Sequence, residues 1–251
     1  MKNNFYSEII NVGNTFTNTY LIKVLDGYIL IDSGYPADYK KFVKKINKLN
    51  IDLNDIKYIV VTHVHADHVG FVNKLIKITN AKLICCKADK DRFITGTNVE
   101  NVFNPNLIMY LGGRISIAFR KYTQTFEPID VTNASDYTEN PLIDYGINLF
   151  LLHGHTSNDL CIQYKDIVFC GDLCMNGFMA SKNSPMWIED NNKLVSSWEY
   201  LTNIKEIKYL MPGHGNPIEV NTLKENIQNQ KNRKLYKLKK IIYSNQDTIE
   251  E

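Results

Sequence analysis

No stretch of this chain has the uninterrupted apolar run of a membrane span, and the opening Met1-Lys2-Asn3-Asn4-Phe5-Tyr6-Ser7-Glu8 lacks the apolar core and small-residue cleavage site of a signal peptide. The expectation is a soluble cytoplasmic protein with no membrane partner. An excess of one charge is also missing. With 29 Lys+Arg against 27 Asp+Glu the net charge is only +2, too small to imply nucleic acid or an anionic lipid surface. Five cysteines (Cys85, Cys86, Cys161, Cys170 and Cys174) are an odd number in a chain too large to need disulfide staples, so they read as reduced thiols. Cys170 and Cys174 stand one residue wider than Cys-x-x-Cys and no second such pair exists, so they read as buried packing residues, not a separate zinc site. Repeats, low-complexity tracts and Gly/Ser linkers are absent too, which predicts one domain over residues 1–251. Hydrophobic residues at 44% and charged residues at 22% suffice for its core.

What is present alternates. β-branched and aromatic runs at Tyr6–Val12, Thr19–Val24 and Tyr28–Asp32, separated by Gly13-Asn14 and Asp26-Gly27, predict a meander of strands. Phe42, Val43, Ile46 and Leu49 recur at helical spacing and predict a helix over Ala37–Leu49, before a buried strand at Lys57–Val61. Further strands are predicted at Lys82–Cys85, Asn148–Leu152, Leu160–Tyr164, Ile167–Cys170 and Ile207–Met211, giving a mixed α/β class. Residues 89–125, with Phe103, Leu107, Ile108, Tyr110, Leu111, Ile117 and Phe119, predict an apolar helical insertion. After His214 a helical tail is predicted at about 220–245, its apolar face formed by Leu223, Ile227, Leu235, Leu238 and Ile242. The cluster Lys231, Arg233, Lys234, Lys237, Lys239 and Lys240 then reads as that helix's solvated face.

The chemistry concentrates after strands. Thr62-His63-Val64-His65-Ala66-Asp67-His68-Val69-Gly70 places four metal-ligating side chains within six residues at the end of an apolar strand. Residues two apart in an extended segment point the same way, so His63 and His65 grip one ion while Asp67 and His68 face elsewhere. Four side chains so close in sequence suit two adjacent ions better than one tetrahedral ion. His155, Asp172 and His214 occupy equivalent positions after later apolar strands. Five of the six histidines are thereby accounted for, leaving His153, which reads as an ordinary surface or core residue ahead of a substrate contact or proton shuttle near the mouth of the site.

This pattern resembles the metallo-β-lactamase superfamily, whose signature is His-x-His-x-Asp-His followed by a distant His, a bridging Asp and a final His. All seven elements are present in order, and the resemblance runs from Asn18-Thr19-Tyr20-Leu21-Ile22 and Ile31-Asp32-Ser33-Gly34 to Pro212-Gly213-His214-Gly215. It implies an αββα sandwich of two mixed β-sheets flanked by helices. It also implies a first metal on His63, His65 and His155, a second on Asp67, His68 and His214, and Asp172 between them. Two divalent ions are expected, zinc by the preference of imidazole and carboxylate donors, with iron and manganese compatible. Asp67 is the candidate to orient the nucleophile or receive its proton. Thr62, Asp32 and Thr156 are the candidates to fix the imidazoles from behind.

The resemblance implies a hydrolase acting on a small molecule: an ester, thioester or lactone. The ligand set is similar to that of hydroxyacylglutathione hydrolases and lactonases, although Met175 and Asn176 follow Asp172 where lactonases carry a tyrosine. The alternatives are a phosphodiesterase or nuclease and a mononuclear iron oxidoreductase similar to persulfide dioxygenases. A nuclease is disfavoured because no Gly/Pro-rich arm is present, and the dioxygenase because the ligand set is fuller than one iron needs. The insertion, with Gly112-Gly113 as a flexible break, is expected to cover the substrate together with Phe178, Met179, Met186, Trp187 and Ile188. Its other use would be homodimer packing.

Overall fold

A computed structural model describes residues 6–96, 101–108, 110–111, 125–177 and 180–239. Expectations for Gly112-Gly113, Ile117, Phe119, Phe178, Met179, Lys240 and Ile242 lie outside the described residues. The first half of the chain forms β1 (Ile9–Asn11), β2 (Tyr20–Val24), β3 (Gly27–Ile31), β4 (Ile56–Val60), β5 (Lys82–Cys85) and, after β6 (Asn101–Asn104), β7 (Ser135–Asp136). Six of these make one mixed sheet in the order β1-β2-β3-β4-β5-β7. The second half contributes β8 (Ile147–Leu152), β9 (Asp159–Tyr164), β10 (Ile167–Gly171), β11 (Tyr209–Pro212) and β12 (Ile218–Glu219). They form a second mixed sheet, β12-β11-β10-β9-β8, in which only β10 and β11 run parallel.

Three apolar layers follow from the patterning. Ile22, Ile29, Ile31, Val60, Ile162, Ile167 and Phe169 fill the space between the sheets. The outer face of the first sheet is covered by α1 (Tyr39–Lys48), α2 (Ala66–Val69), α3 (Val72–Ile78) and α4 (Lys90–Thr95), with Phe42, Ile46, Leu75 and Phe93 buried. The outer face of the second is covered by α5 (Asn191–Asn203) and α6 (Val220–Lys231) through Leu194, Trp198, Leu201 and Leu223. This is the expected αββα sandwich. Fully buried side chains such as Trp198 and Phe71 each contribute roughly 1.5–3 kcal/mol on transfer from water.

Two expectations are corrected. The insertion is not helical throughout: α4 and residues 107, 108, 110 and 111 are helical, but Asn101–Asn104 forms β6. The tail is not one helix to residue 245. Helix α6 stops at Lys231, and Tyr236–Lys239 forms β13, which pairs antiparallel with β6. Tyr236-Lys237-Leu238-Lys239 alternates apolar and basic residues, the period of a strand; Leu235 and Leu238 match a helical spacing only by continuation from Leu223 and Ile227. The basic cluster therefore does not share one helix face: Lys231 pairs with Glu199 at 2.7 Å, and Arg233 donates to the Ser181 carbonyl at 2.8 Å. A smaller difference concerns Leu49, which caps α1 and is 41% exposed, outside the expected apolar face. All five cysteines are free and buried. Among the described residues no helix is long and apolar enough to cross a membrane.

Candidate metal centre

The strand ends converge. β3 delivers Asp32, β4 delivers His63 and His65, and α2 opens with Ala66 so that Asp67 and His68 lie in its single turn. From the second sheet, β8 leads to His155, β10 to Asp172 and β11 to His214. Ligand-type atoms of His63, His65 and His155 all lie within 4.8 Å of one another, and so do those of Asp67, His68 and His214, and of His63, His68 and Asp172. Every residue of the sequence-derived set is thus in one cluster. His153 is not: its Nδ1 bonds the Ser157 carbonyl at 2.7 Å.

Hydrogen bonds behind the cluster decide which imidazole nitrogens face inward. Asp32 is buried at φ 59, a conformation that non-glycine residues seldom adopt outside constrained sites. Its carboxylate accepts from the Thr62 amide at 2.8 Å, the Thr62 hydroxyl at 2.7 Å and His68 Nδ1 at 2.8 Å. With its hydrogen given to Asp32, the Thr62 hydroxyl accepts from His63 Nδ1 at 3.0 Å, so His63 Nε2 carries a lone pair. His155 Nδ1 donates to the Trp187 carbonyl at 2.8 Å and His214 Nδ1 to the Phe16 carbonyl at 2.6 Å, which turns both Nε2 atoms inward in the same way. His155 Nε2 then lies 3.2 Å from His63 Nε2 and 3.0 Å from His65 Nδ1. Two lone pairs at that distance repel unless a cation lies between them.

The donor set fits divalent metal. His68 Nε2 and Asp172 Oδ1, 3.5 Å apart, are both buried and have no hydrogen-bond partner. Native interiors rarely leave such atoms unmatched. Asp172 also approaches His155 Nε2 at 3.7 Å and His214 Nε2 at 3.3 Å, placing it between the two groups. Burial, then the neighbouring imidazoles His68, His65 and His155, holds His63 well below the ordinary histidine range, and burial lowers His155 too. Both are neutral donors. Burial opposes protonation of His68 and His214, but Asp172 and the other carboxylates outweigh it, raising His68 and pushing His214 up to about 10. Burial alone would raise Asp67 and Asp172; His68 and His214 hold both below the carboxylate range.

Asp32 and Thr62 touch His68 and His63 as expected, but Thr156 does not touch a ligand-type histidine. Its hydroxyl donates to Asp159 at 2.7 Å, and Asp159 also accepts from the His155 amide at 3.1 Å, holding that loop. Asp159 and the carbonyls of Phe16 and Trp187 escaped the sequence reading, since a backbone carbonyl carries no residue-type signal. Glycines make room: a Cβ on Gly213 would lie 2.4 Å from Asp172 Oδ1 and 2.5 Å from His68 Cε1.

The family model of the metallo-β-lactamase superfamily matches residues 12–214, and the chain belongs to that superfamily. Hydroxyacylglutathione hydrolase 1 of Vibrio vulnificus (strain YJ016) is 26% identical over 202 residues, covering 76% of this chain and 65% of the relative. A metal-dependent hydrolase of Staphylococcus carnosus (strain TM300) is 31% identical over 130 residues, covering 51% of this chain and 50% of its own length. An uncharacterized protein of Methanocaldococcus jannaschii is 39% identical over 79 residues, 32% of this chain and 19% of that protein. The chain thus spans between 19% and 65% of these curated relatives. Among solved structures, an archaeal superfamily protein from Sulfolobus tokodaii superposes with a TM-score of 0.62 at 18% identity, covering 86% of this chain and 80% of the other. A subclass B3 metallo-β-lactamase from a soil metagenome library gives 0.61 at 18% identity, covering 83% and 77%. At these identities the likeness is one of fold.

Proposed function

We propose that the chain is a metal-dependent hydrolase that holds two divalent ions, zinc in the first instance, and cleaves an ester, thioester or lactone of a small molecule. The observation that carries this is the pair of inward-facing lone pairs on His63 and His155, 3.2 Å apart, beside the unpartnered His68 Nε2 and Asp172 Oδ1. In this reading His63, His65 and His155 hold one ion, Asp67, His68 and His214 the other, and Asp172 contacts both. Bound there, the ions supply Lewis acidity toward the substrate's acyl oxygen and make water a usable nucleophile near neutral pH.

The chain's own groups do the rest. Asp32 and Thr62 fix the tautomers of His68 and His63. Asp67, 3.1 Å from His214 and partly open to solvent, orients the attacking water and receives its proton. The thioester class is supported by the name of the Vibrio vulnificus relative. A small-molecule substrate is also favoured by the pairing of two basic groups among the described residues: Arg92 is paired with Glu189 at 3.3 Å and Lys231 with Glu199, which takes both out of the dense phosphate contact that polynucleotides require.

Elemental analysis of metal-loaded protein, followed by assays on activated thioesters, lactones, β-lactams and phosphodiesters, tests this reading. Two metals per chain with turnover of a thioester or lactone is the expected result. One metal, with Asp67 and His214 indifferent to substitution, would move the protein to the mononuclear iron class. Salt-sensitive RNA cleavage lost on neutralising the Lys231, Arg233, Lys234, Lys237, Lys239 and Lys240 cluster would make it a nuclease.

A further inference from the structure

The two-stranded ribbon β6/β13 belongs to neither sheet of the sandwich, yet it is bonded to the segment that backs His155. Phe103 of β6 donates its amide to the Ile188 carbonyl at 2.7 Å and accepts from the Ile188 amide at 3.0 Å. Phe103 thereby spends both backbone groups on Ile188. Backbone groups alternate sides along a strand, so Val102 and Asn104 turn theirs the other way, toward Leu238 and Tyr236, their partners in β13. Strand β6 is therefore the middle of three extended segments, with Ile188 on one edge and the C-terminal strand on the other. Tyr110, in the helical part of the insertion, stacks on Tyr236 with ring centroids 5.6 Å apart and ties a further insertion residue to β13.

Ile188 follows Trp187, whose carbonyl accepts from His155 Nδ1 at 2.8 Å. The next amides hold the same loop: Glu189 and Asp190 donate to the Gly154 carbonyl at 2.9 and 3.1 Å. Residues 187–190 are thus gripped by the ribbon on one side and grip the His155 loop on the other. Ile188 is fully buried among Phe103, Leu194 and Trp198, so the ribbon's hold is transmitted through a packed junction.

We propose that the C-terminal strand β13 and β6 are positioning elements for His155, acting through Ile188 and the Trp187 carbonyl. This rests on the two-metal reading and extends it: residues 22 or more positions beyond His214 in sequence govern the three-histidine group. A fixed acceptor behind a ligand imidazole sets its tautomer and ring orientation, and loss of such a partner typically lowers metal affinity about 10–100-fold.

Co2+ titration of full-length protein, followed by absorption and by equilibrium dialysis, tests the proposal. Tyr236→Pro removes an amide that faces β6; Lys237→Pro removes one that faces away from it, at an exposed residue, and serves as the control. Phe103→Pro breaks the bond to Ile188 from the other edge of β6 and repeats the test if Tyr236→Pro does not fold. The expected result is that Tyr236→Pro or Phe103→Pro weakens one of the two Co2+ sites about 10–100-fold and shifts its absorption band, while Lys237→Pro binds as wild type. Folded Tyr236→Pro and Phe103→Pro proteins with wild-type affinity at both sites would overturn the proposal with the two-metal reading intact. A wild-type chain that binds no Co2+ would overturn both.

Discussion

His68 Nδ1 donates to Asp32 Oδ2 over 2.8 Å, and both side chains are buried. The carboxylate takes two more hydrogens from Thr62, so it acts purely as an acceptor at three positions. Asp32→Asn keeps the shape and tolerates φ 59, yet puts an NH2 group where an acceptor is needed. We expect near-wild-type circular dichroism with metal affinity lowered about 10–100-fold. An unchanged metal titration would show that Asp32 serves the backbone of the β3 turn and not His68.

Asp172 and its neighbours Cys170 and Cys174 should separate cleanly. The two sulfurs touch at 3.4 Å in the core behind the cluster, whereas Asp172 reaches His68, His155 and His214. Asp172→Ala is expected to abolish turnover and deplete both ions; Cys170→Ala and Cys174→Ala are expected to retain two ions and lose stability by about 1–2 kcal/mol from a small cavity. Metal loss in either cysteine variant, with Asp172→Ala active, contradicts the assignment.

Two glycine substitutions offer a steric contrast. Gly213→Ala drives a methyl group to 2.4 Å from Asp172 Oδ1, so metal content and activity should collapse. Gly146→Ala meets nothing within 4 Å and suffers only from φ +71, a cost of roughly 1–2 kcal/mol. Denaturation and metal analysis of both variants check this. A Gly213→Ala protein with two ions would mean that the Asp172 loop yields.

Chelation should destabilise the fold and make its stability pH-dependent. Removing each ion present at 1,000 times its dissociation constant costs about 4 kcal/mol, or roughly 8–16 °C in Tm per ion for a chain of this size. In the metal-free protein His214 titrates at about 10 against an ordinary 6.5. Its protonated form therefore adds stability that is complete below about 6.5 and is lost as pH rises through 10. Thermal melts of chelated protein should fall in Tm between pH 8 and 10, and His214→Ala should shrink that fall, the remainder belonging to His68, which the same carboxylates raise. An identical decline in His214→Ala would assign it elsewhere.

The sequence determined the class and the ligand-type residues of this protein, because both rest on local rules. Alternating apolar runs fixed most strands within a few residues, and side chains able to bind metal stood where those strands ended. Periodicity misled where two periods overlap, as at Leu235 and Leu238, because apolar spacing alone does not say whether the backbone continues its helix. Tertiary structure alone decided the pairing of β13 with β6, the bond from His214 to Phe16, 198 residues earlier, and the bond from His155 to Trp187. Those partners are backbone carbonyls, which every residue possesses, so only the path of the chain through space selects which of them orients an imidazole.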